Sequence, residues 1–117
     1  MSAKSCTDTS FYADVRNVIS LIARGMWVLI HYTRGSCVAF TQKRLLENAG
    51  CGDPLPVLMT IVKDIMNKLV EQKLLTLDDS RSIKRYMICK DSQLWNVIKR
   101  AEGPEDVFNY LIEVVGQ

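Results

Sequence analysis

Side chains that can hold a phosphate or contact a base edge recur through the middle of this sequence. Lysine and arginine neutralise phosphates, while asparagine, glutamine and lysine can hydrogen-bond to base edges in a duplex groove. Between residues 36 and 90 there are nine Lys and Arg against six Asp and Glu, a net charge of +3, whereas the rest of the chain has six against seven. These residue types point to nucleic-acid binding, and the ten candidates are Gln42, Lys43, Arg44, Thr60, Lys63, Asn67, Lys68, Arg81, Lys84 and Arg85.

The candidates fall into three groups with different expected roles. The group at 42–44 opens a predicted short helix, where amide N–H groups and cations favour a phosphate. The group at 60–68 lies on the outward side of a longer helix, from which Asn67 could pair with adenine and the lysines with guanine or phosphate. The group at 81–85 could contact the backbone or the minor groove. The alternative is an ordinary solvated charged surface, since acidic residues share these segments.

Catalysis and metal binding find little support in the sequence. His31, the one histidine, has no identifiable nucleophile or acid partner, so a partly buried position at a helix end is expected. The four cysteines include no CxxC pair, so the zinc-finger and zinc-ribbon spacings are absent. We therefore expect no enzyme activity, no cofactor and no metal.

The bulk properties are those of a soluble globular protein. The chain has 117 residues, a net charge of +2 and 48% hydrophobic residues, which predicts a single domain over 11–117 after a flexible segment over 1–10. The first ten residues lack the apolar core of a secretory signal, and the apolar stretch from Met26 to Ile30 is too short to span a bilayer. A cytoplasmic protein with reduced thiols and no membrane partner is expected.

Hydrophobic periodicity predicts the elements that must position the candidates. Apolar residues recur at steps of three and four from Phe11 to Ile30, which predicts a first helix that Gly25 bends or splits. Thr41 and Gly50 suit the start and the left-handed stop of a short helix, and Pro54 suits the first turn of the next. The other predicted elements are a strand over 37–40, helices over 42–49 and 54–73, strands over 74–77 and 83–89, a helix from the Asp91–Ser92 cap to Arg100, and a last helix opened by Glu105 and Asp106.

The order strand, helix, turn, helix, hairpin resembles the winged-helix superfamily of small DNA-binding regulators, especially its compact archaeal, viral and bacterial members. The stretch Leu69-Val-Glu-Gln-Lys-Leu-Leu75 is similar to that superfamily's junction between recognition helix and wing, and Arg85-Tyr-Met-Ile88 to its outgoing wing strand. The resemblance covers roughly residues 14 to 101. It implies an α+β winged helix-turn-helix with additional N- and C-terminal helices.

The resemblance also implies a function. A homodimeric transcriptional regulator would bind double-stranded DNA with sequence preference, through a recognition helix over 54–73 and a basic wing over 78–85. The first two turns of that helix hold Leu55, Pro56 and Met59, which are poor base readers. A winged-helix module that binds protein in a transcription or replication assembly, without direct DNA readout, is therefore the alternative.

The same resemblance implies where two of the cysteines lie relative to each other. In the superfamily's sheet, the strand after the first helix lies beside the outgoing wing strand, which implies that Cys37 and Cys89 are neighbours. Two interpretations are open: a disulfide between them, or two small buried hydrophobic side chains. Cys51, in the turn before the long helix, is expected to be the most exposed thiol.

The chain termini suggest how two copies could pair. Superfamily members commonly dimerise through terminal helices, so residues 102–117 are a candidate dimerisation helix. The alternative is that the terminal helices pack on each other within one chain. The apolar side chains concerned are Phe11, Tyr12, Phe108, Leu111, Ile112 and Val115.

Overall fold

Helices and a small three-stranded antiparallel sheet make up the described residues, so the predicted α+β class is confirmed. The structure is a computed structural model and describes residues 9–80 and 82–116. The predicted flexible segment over 1–10 therefore lies outside the described residues up to residue 8. In chain order the elements are α1 Thr9–Tyr12, α2 Val15–His31, β1 Cys37–Phe40, α3 Gln42–Asn48, α4 Pro56–Glu71, β2 Thr76–Asp78, β3 Arg85–Cys89, α5 Gln93–Arg100 and α6 Pro104–Val115.

The central helix α2 begins later than its apolar periodicity predicts. The Asp14 side chain caps it by accepting a hydrogen bond from the Arg16 amide at 3.0 Å, so the helix predicted from residue 11 is divided into α1 and α2. α2 then continues through Gly25 without a break. Its inward face is buried in a core cluster to which every other helix from α3 to α6 contributes side chains.

Gly25 allows α3 to approach α2 closely. A Cβ atom at this position would overlap the Leu45 carbonyl oxygen and lie 2.8 Å from Leu45 Cδ1. Leu45 and Leu46 are both fully buried at this crossing. The predicted split at Gly25 is therefore wrong, because the missing side chain serves helix packing and not a helix end.

Sequence signals fix both ends of α3. The Thr41 hydroxyl accepts a hydrogen bond from the Arg44 amide at 3.1 Å, as its predicted role as N-cap requires. Gly50 has a φ of 91°, and the Cys51 amide donates back to the Leu46 carbonyl at 2.8 Å. This left-handed C-terminal turn confirms the predicted stop at Gly50.

Helix α4 is shorter at both ends than the predicted range 54–73. Leu55 is extended, with φ −72° and ψ 153°, because a residue before proline disfavours the helical conformation, so the helix starts at Pro56. At the other end Lys73 has a φ of 64°, and the Leu74 amide donates to the Leu69 carbonyl at 3.0 Å. α4 therefore closes with the same type of turn as α3, made here by a lysine.

The sheet order is β1-β3-β2, with both neighbours antiparallel to β3. Tyr86 at its centre pairs with Phe40 on one side and with Leu77 on the other. The two hairpin strands are shorter than predicted, since Leu74 and Leu75 turn into the core before β2 begins and β3 begins only at Arg85.

The terminal helices pack within the chain. In α6, Val107 and Leu111 are fully buried in the core cluster, and the helix lies mainly against α2. His31 ends α2 half-buried, and its Nε2 donates to the Ile98 carbonyl at 2.9 Å, which ties α2 to α5. In the described part of the chain, no helix combines the length and apolar character needed to cross a bilayer.

Candidate nucleic-acid interface

Five of the ten candidate residues line one cleft. It lies between the start of α3, one side of α4 and the hairpin formed by β2, β3 and the segment between them. Its volume is about 590 Å³, and we refer to it as the α4–hairpin cleft. The lining residues are Thr41, Gln42, Lys43, Met59, Lys63, Asn67, Leu77, Ile83, Lys84 and Tyr86.

The N-cap of α3 brings the first two candidates to the cleft. Because Thr41 ends the extended segment after β1 and starts the helix, Gln42 and Lys43 follow directly at the cleft edge. Gln42 Nε2 lies 3.5 Å from the Tyr86 hydroxyl oxygen, a long hydrogen bond from α3 to the central strand. Lys43 is exposed. The start of α3 thus presents an amide and a cation side by side.

Helical spacing brings the next lining residues together on α4. Met59, Lys63 and Asn67 are four residues apart, so they form one row along the helix towards the hairpin. Lys63 is exposed and Asn67 is half-buried. Thr60 is also exposed but does not line the cleft, and its hydroxyl donates to the Pro56 carbonyl at 3.2 Å. The predicted base contact from Thr60 therefore has a competing partner within its own helix.

Two hydrogen-bonded groups close the hairpin beside the cleft. Asp78 accepts from the Ser80 hydroxyl at 2.6 Å, from the Ser80 amide at 3.1 Å and from Arg85 Nη2 at 3.1 Å. The Ser80 hydrogen bonds, together with the Arg85 guanidinium, lower the pKa of Asp78 to about 2. Arg85 is thus occupied in holding the hairpin together, which is a different role from the predicted contact with DNA.

Arg44 and Arg85 line a neighbouring hollow on the β1 side of α3. This hollow has a volume of about 510 Å³, and it also includes Lys43 and Glu47. The two arginines therefore stand next to the α4–hairpin cleft across Lys43, which lines both. Glu47 gives this hollow a carboxylate that the cleft lacks.

The charge in the cleft has one sign. Lys43, Lys63 and Lys84 line it, and none of its described lining residues is Asp or Glu. Within the described part of the chain, none of the three lysines is in an ion pair with a carboxylate. Three cations that converge without an acidic partner favour an anionic ligand.

Lys68 lies apart from this group. Lys68 lines a different groove together with Asp64, on the side of α4 that faces α2 and α6. Lys68 is exposed, as predicted, but the helical turn places position 68 on a different flank of α4 from Lys63 and Asn67. Arg81 lies outside the described residues.

The ten residues predicted from the sequence include none of the apolar side chains that line the cleft. Met59, Leu77 and Ile83 line it between the lysines, and the Ile83 residue is 66% exposed. The sequence did hold a signal for Ile83, an isoleucine flanked by Ser82 and Lys84 in an otherwise polar turn. The cleft therefore presents apolar surface as well as positive charge.

A disulfide joins β1 and β3 at the end of their ladder far from the cleft. Cys37 and Cys89 are paired in register, with Cα atoms 4.0 Å apart and their Sγ atoms bonded. Cys37 is exposed, so the interpretation as two small buried hydrophobic side chains is wrong, and reduced thiols are not found at this pair. Cys51 is fully buried in the core, so its expected exposure is also wrong.

No protein-family model, no curated protein and no solved structure matches this chain.

Proposed function

We propose that the protein binds double-stranded DNA as a homodimeric transcriptional regulator of the winged helix-turn-helix type. The recognition helix is α4, and the wing is the segment over 78–85. The observation that carries the proposal is the convergence of Lys43, Lys63 and Lys84 in a cleft lined by no described carboxylate. The order β1, α3, α4, hairpin, with the sheet order β1-β3-β2, supports the winged-helix assignment.

The mechanism assigns different ligand atoms to different elements. The exposed side of α4 enters the major groove, where Asn67 can donate to and accept from the edge of adenine. Lys63 reaches guanine or a phosphate from the same side. Lys43 and Lys84, on the two elements that flank α4, hold phosphates of the strands beside that groove. Specificity would thus come from α4, and most of the affinity from the lysines.

The hairpin geometry supports a fixed position for Lys84. The ion pair between Arg85 and Asp78, at 3.1 Å, lies directly after Lys84 and joins the two strands where the turn begins. Loss of Arg85 would therefore weaken DNA binding through the position of the wing and not through a lost phosphate contact.

Fluorescence anisotropy with a labelled random duplex between about 50 mM and 200 mM salt tests the proposal. The variant Lys43→Ala, Lys63→Ala, Lys84→Ala removes the cleft cations, and Arg24→Ala, Lys90→Ala, Lys99→Ala is the control with the same change in net charge at exposed sites that do not line the cleft. Each lost phosphate contact reduces the magnitude of the slope of log K against log salt concentration by about 0.9. The slope of the cleft variant should therefore be smaller in magnitude by roughly 3. Its affinity at the lower salt should fall at least about ten-fold.

Equal losses in the two variants would mean that binding follows net charge alone, and the cleft would lose its assigned role. No duplex binding by the unmodified protein at low salt would overturn the DNA-binding function itself. A preference among duplex sequences, abolished by Asn67→Ala with little change of salt slope, would support base readout by α4.

A second candidate function has one observation in its favour. Met59, Leu77 and Ile83 give the cleft an apolar floor beneath its lysines, which suits an acidic amphipathic peptide segment of a partner protein. Ile83→Ala combined with Met59→Ala separates the two functions. Peptide binding should weaken at least about ten-fold, since anchors in an apolar groove dominate such interfaces. The salt slope for duplex DNA should be unchanged.

A further inference from the structure

A second groove lies on the opposite flank of α4. It is formed by the start of α2, the middle of α4 and the end of α6, has a volume of about 430 Å³, and is named here the α2–α4–α6 groove. Isoleucine and valine dominate its lining. The lining residues are Val15, Arg16, Ile19, Ile61, Asp64, Ile65, Lys68, Ile112, Val115 and Gly116.

The groove leaves apolar side chains in contact with water. Val15 at its edge is 48% exposed, and Val57, one turn before Ile61 on α4, is 48% exposed as well. Ile61, Ile112 and Val115 are only partly buried against the core. Contiguous apolar surface of this kind, bordered by polar groups, is typical of an interaction site.

The border of the groove carries both signs of charge. Asp64 and Lys68 are one helical turn apart on α4, yet they form no ion pair with each other. Among the described residues neither of them has an ion-pair partner. Arg16, on the α2 side, lies 3.6 Å from Asp14, and both of these side chains are exposed. The unpaired charges are therefore one acid and one base beside an apolar centre.

We propose that this groove is covered by a second copy of the same chain, related by a two-fold axis. The isoleucines of the two grooves meet at the centre, and Asp64 of each copy faces Lys68 of the other. In a two-fold interface the same patch meets itself, so a patch that carries one acid and one base can satisfy both at once. The inference rests on the proposed homodimer and names the surface that forms it.

Charge complementarity favours a second copy over other occupants. An acidic partner would leave Asp64 without a counter-charge, and a basic partner would do the same to Lys68. The chain's own first eight residues are mostly polar and offer few side chains that fill an apolar groove. A second copy presents an acid and a base beside an apolar centre, so it offers a counter-charge to both Asp64 and Lys68.

The dimer leaves the α4–hairpin cleft open. Positions 59, 63 and 67 line the cleft, whereas positions 61, 64, 65 and 68 line the α2–α4–α6 groove. At about 100° per residue the centres of the two rows are roughly 150° apart around α4. One helix can therefore contact a second copy on one flank and a duplex on the other. This differs from pairing through the last helix alone, since Leu111 is fully buried and only Ile112 and Val115 of α6 line the groove.

Sedimentation velocity across roughly 1–100 µM protein, without DNA, measures the dimer directly. The variants are Asp64→Lys, Lys68→Asp and the double reversal, with Lys63→Asp on the cleft side of α4 as the matched control. Each single reversal creates two symmetry-related repulsions, so the dimer dissociation constant should rise at least about ten-fold. The double reversal restores opposite charges across the axis and should return the constant to within about three-fold of the original. Lys63→Asp should leave it unchanged.

Each result decides a different question. A dimer that all four variants leave intact would mean that the copies pair through another surface, so this inference would fail and the homodimer would stand. A monomer at every concentration would overturn both. Duplex binding, measured separately with the lysine variants of the cleft, is independent of either outcome, and circular dichroism of these surface variants checks that they are folded.

Discussion

The two strands that flank the central strand β3 are held to it in different ways. On one side β1 pairs with it over four positions, places the 1%-exposed Phe40 opposite Tyr86, and is joined to it by the Cys37–Cys89 disulfide. On the other side β2 pairs over three positions and places the half-buried Leu77 opposite the same tyrosine. There the strands are joined at the turn by one partly exposed ion pair.

The difference separates the strand that anchors the sheet, β1, from the strand that leads to the hairpin residues of the proposed DNA-binding cleft, β2. β1 runs directly into Thr41 and α3, so the covalently anchored side also fixes Gln42 and Lys43. β2 is an outer strand that leads to Ile83 and Lys84, the hairpin residues of the cleft. Surface elements with few buried contacts are the ones that open locally. The cleft therefore has one wall set by the core and one wall set by weaker bonds.

The largest effect on stability is expected from substitution of the two residues that pair with Tyr86, Phe40 on β1 and Leu77 on β2. Phe40→Ala should lower the free energy of unfolding by about 3–5 kcal/mol, because it leaves a cavity in a closed core. Leu77→Ala should cost less than about 2 kcal/mol, since Leu77 is partly in contact with water and its loss leaves no closed cavity. Urea denaturation with a common slope measures both. Equal costs would show that the two sides of β3 contribute alike and would remove the distinction.

Removal of the disulfide should have the next largest effect. The bond joins residues separated by 52 positions, so Cys37→Ser with Cys89→Ser should lower the free energy of unfolding by about 2–4 kcal/mol through the greater freedom of the unfolded chain. Duplex affinity of the folded variant should be unchanged, because the bond lies at the end of the ladder away from Phe40 and Tyr86. Urea denaturation of this variant and of the unmodified protein, both without reductant, measures the shift in midpoint. An unchanged midpoint would contradict the anchoring role assigned to β1.

The smallest effect concerns the weak side and depends on pH. The pKa of Asp78 is lowered to about 2 by the Ser80 hydrogen bonds and by Arg85, whereas an aspartate in an unfolded chain has a pKa of about 3.9. The stabilisation is therefore complete above about pH 4 and is lost as the pH falls towards 2. The difference in urea midpoint between the unmodified protein and Asp78→Asn should be constant above pH 4 and should shrink below it. A constant difference down to pH 2 would mean that the carboxylate charge does not hold the hairpin.

Much of the architecture follows from local signals in the sequence. Thr41 and Gly50 define α3 because capping and a left-handed stop are short-range effects. The order of helices and strands was predictable for the same reason. The ends of α4 were harder to predict, because the apolar periodicity continues past both of them. Pro56 keeps Leu55 out of the helix at one end, and the left-handed turn at Lys73 stops the helix at the other.

The candidate site could be predicted only in part, because residue types alone do not show which surface of the fold each side chain lies on. Lys63 and Lys68 are both exposed lysines on α4, and only the placement of the hairpin assigns the first to the cleft and the second to the other flank. Arg85 looked like a free cation until its pairing with Asp78 was seen across the turn. Met59, Leu77 and Ile83 also line the cleft, and the pattern of cations and amides in the sequence does not indicate these apolar residues.

The disulfide has a topological consequence as well as an energetic one. Together with the chain between its ends it forms a covalent ring, and all ten sequence-predicted contact residues, from Gln42 to Arg85, lie inside that ring, whereas α2, α5 and α6 lie outside it. A single peptide cleavage in the hairpin turn would therefore open the ring without releasing either piece. The half that contains the α4–hairpin cleft would behave as a cyclic peptide inserted between α2 and α5.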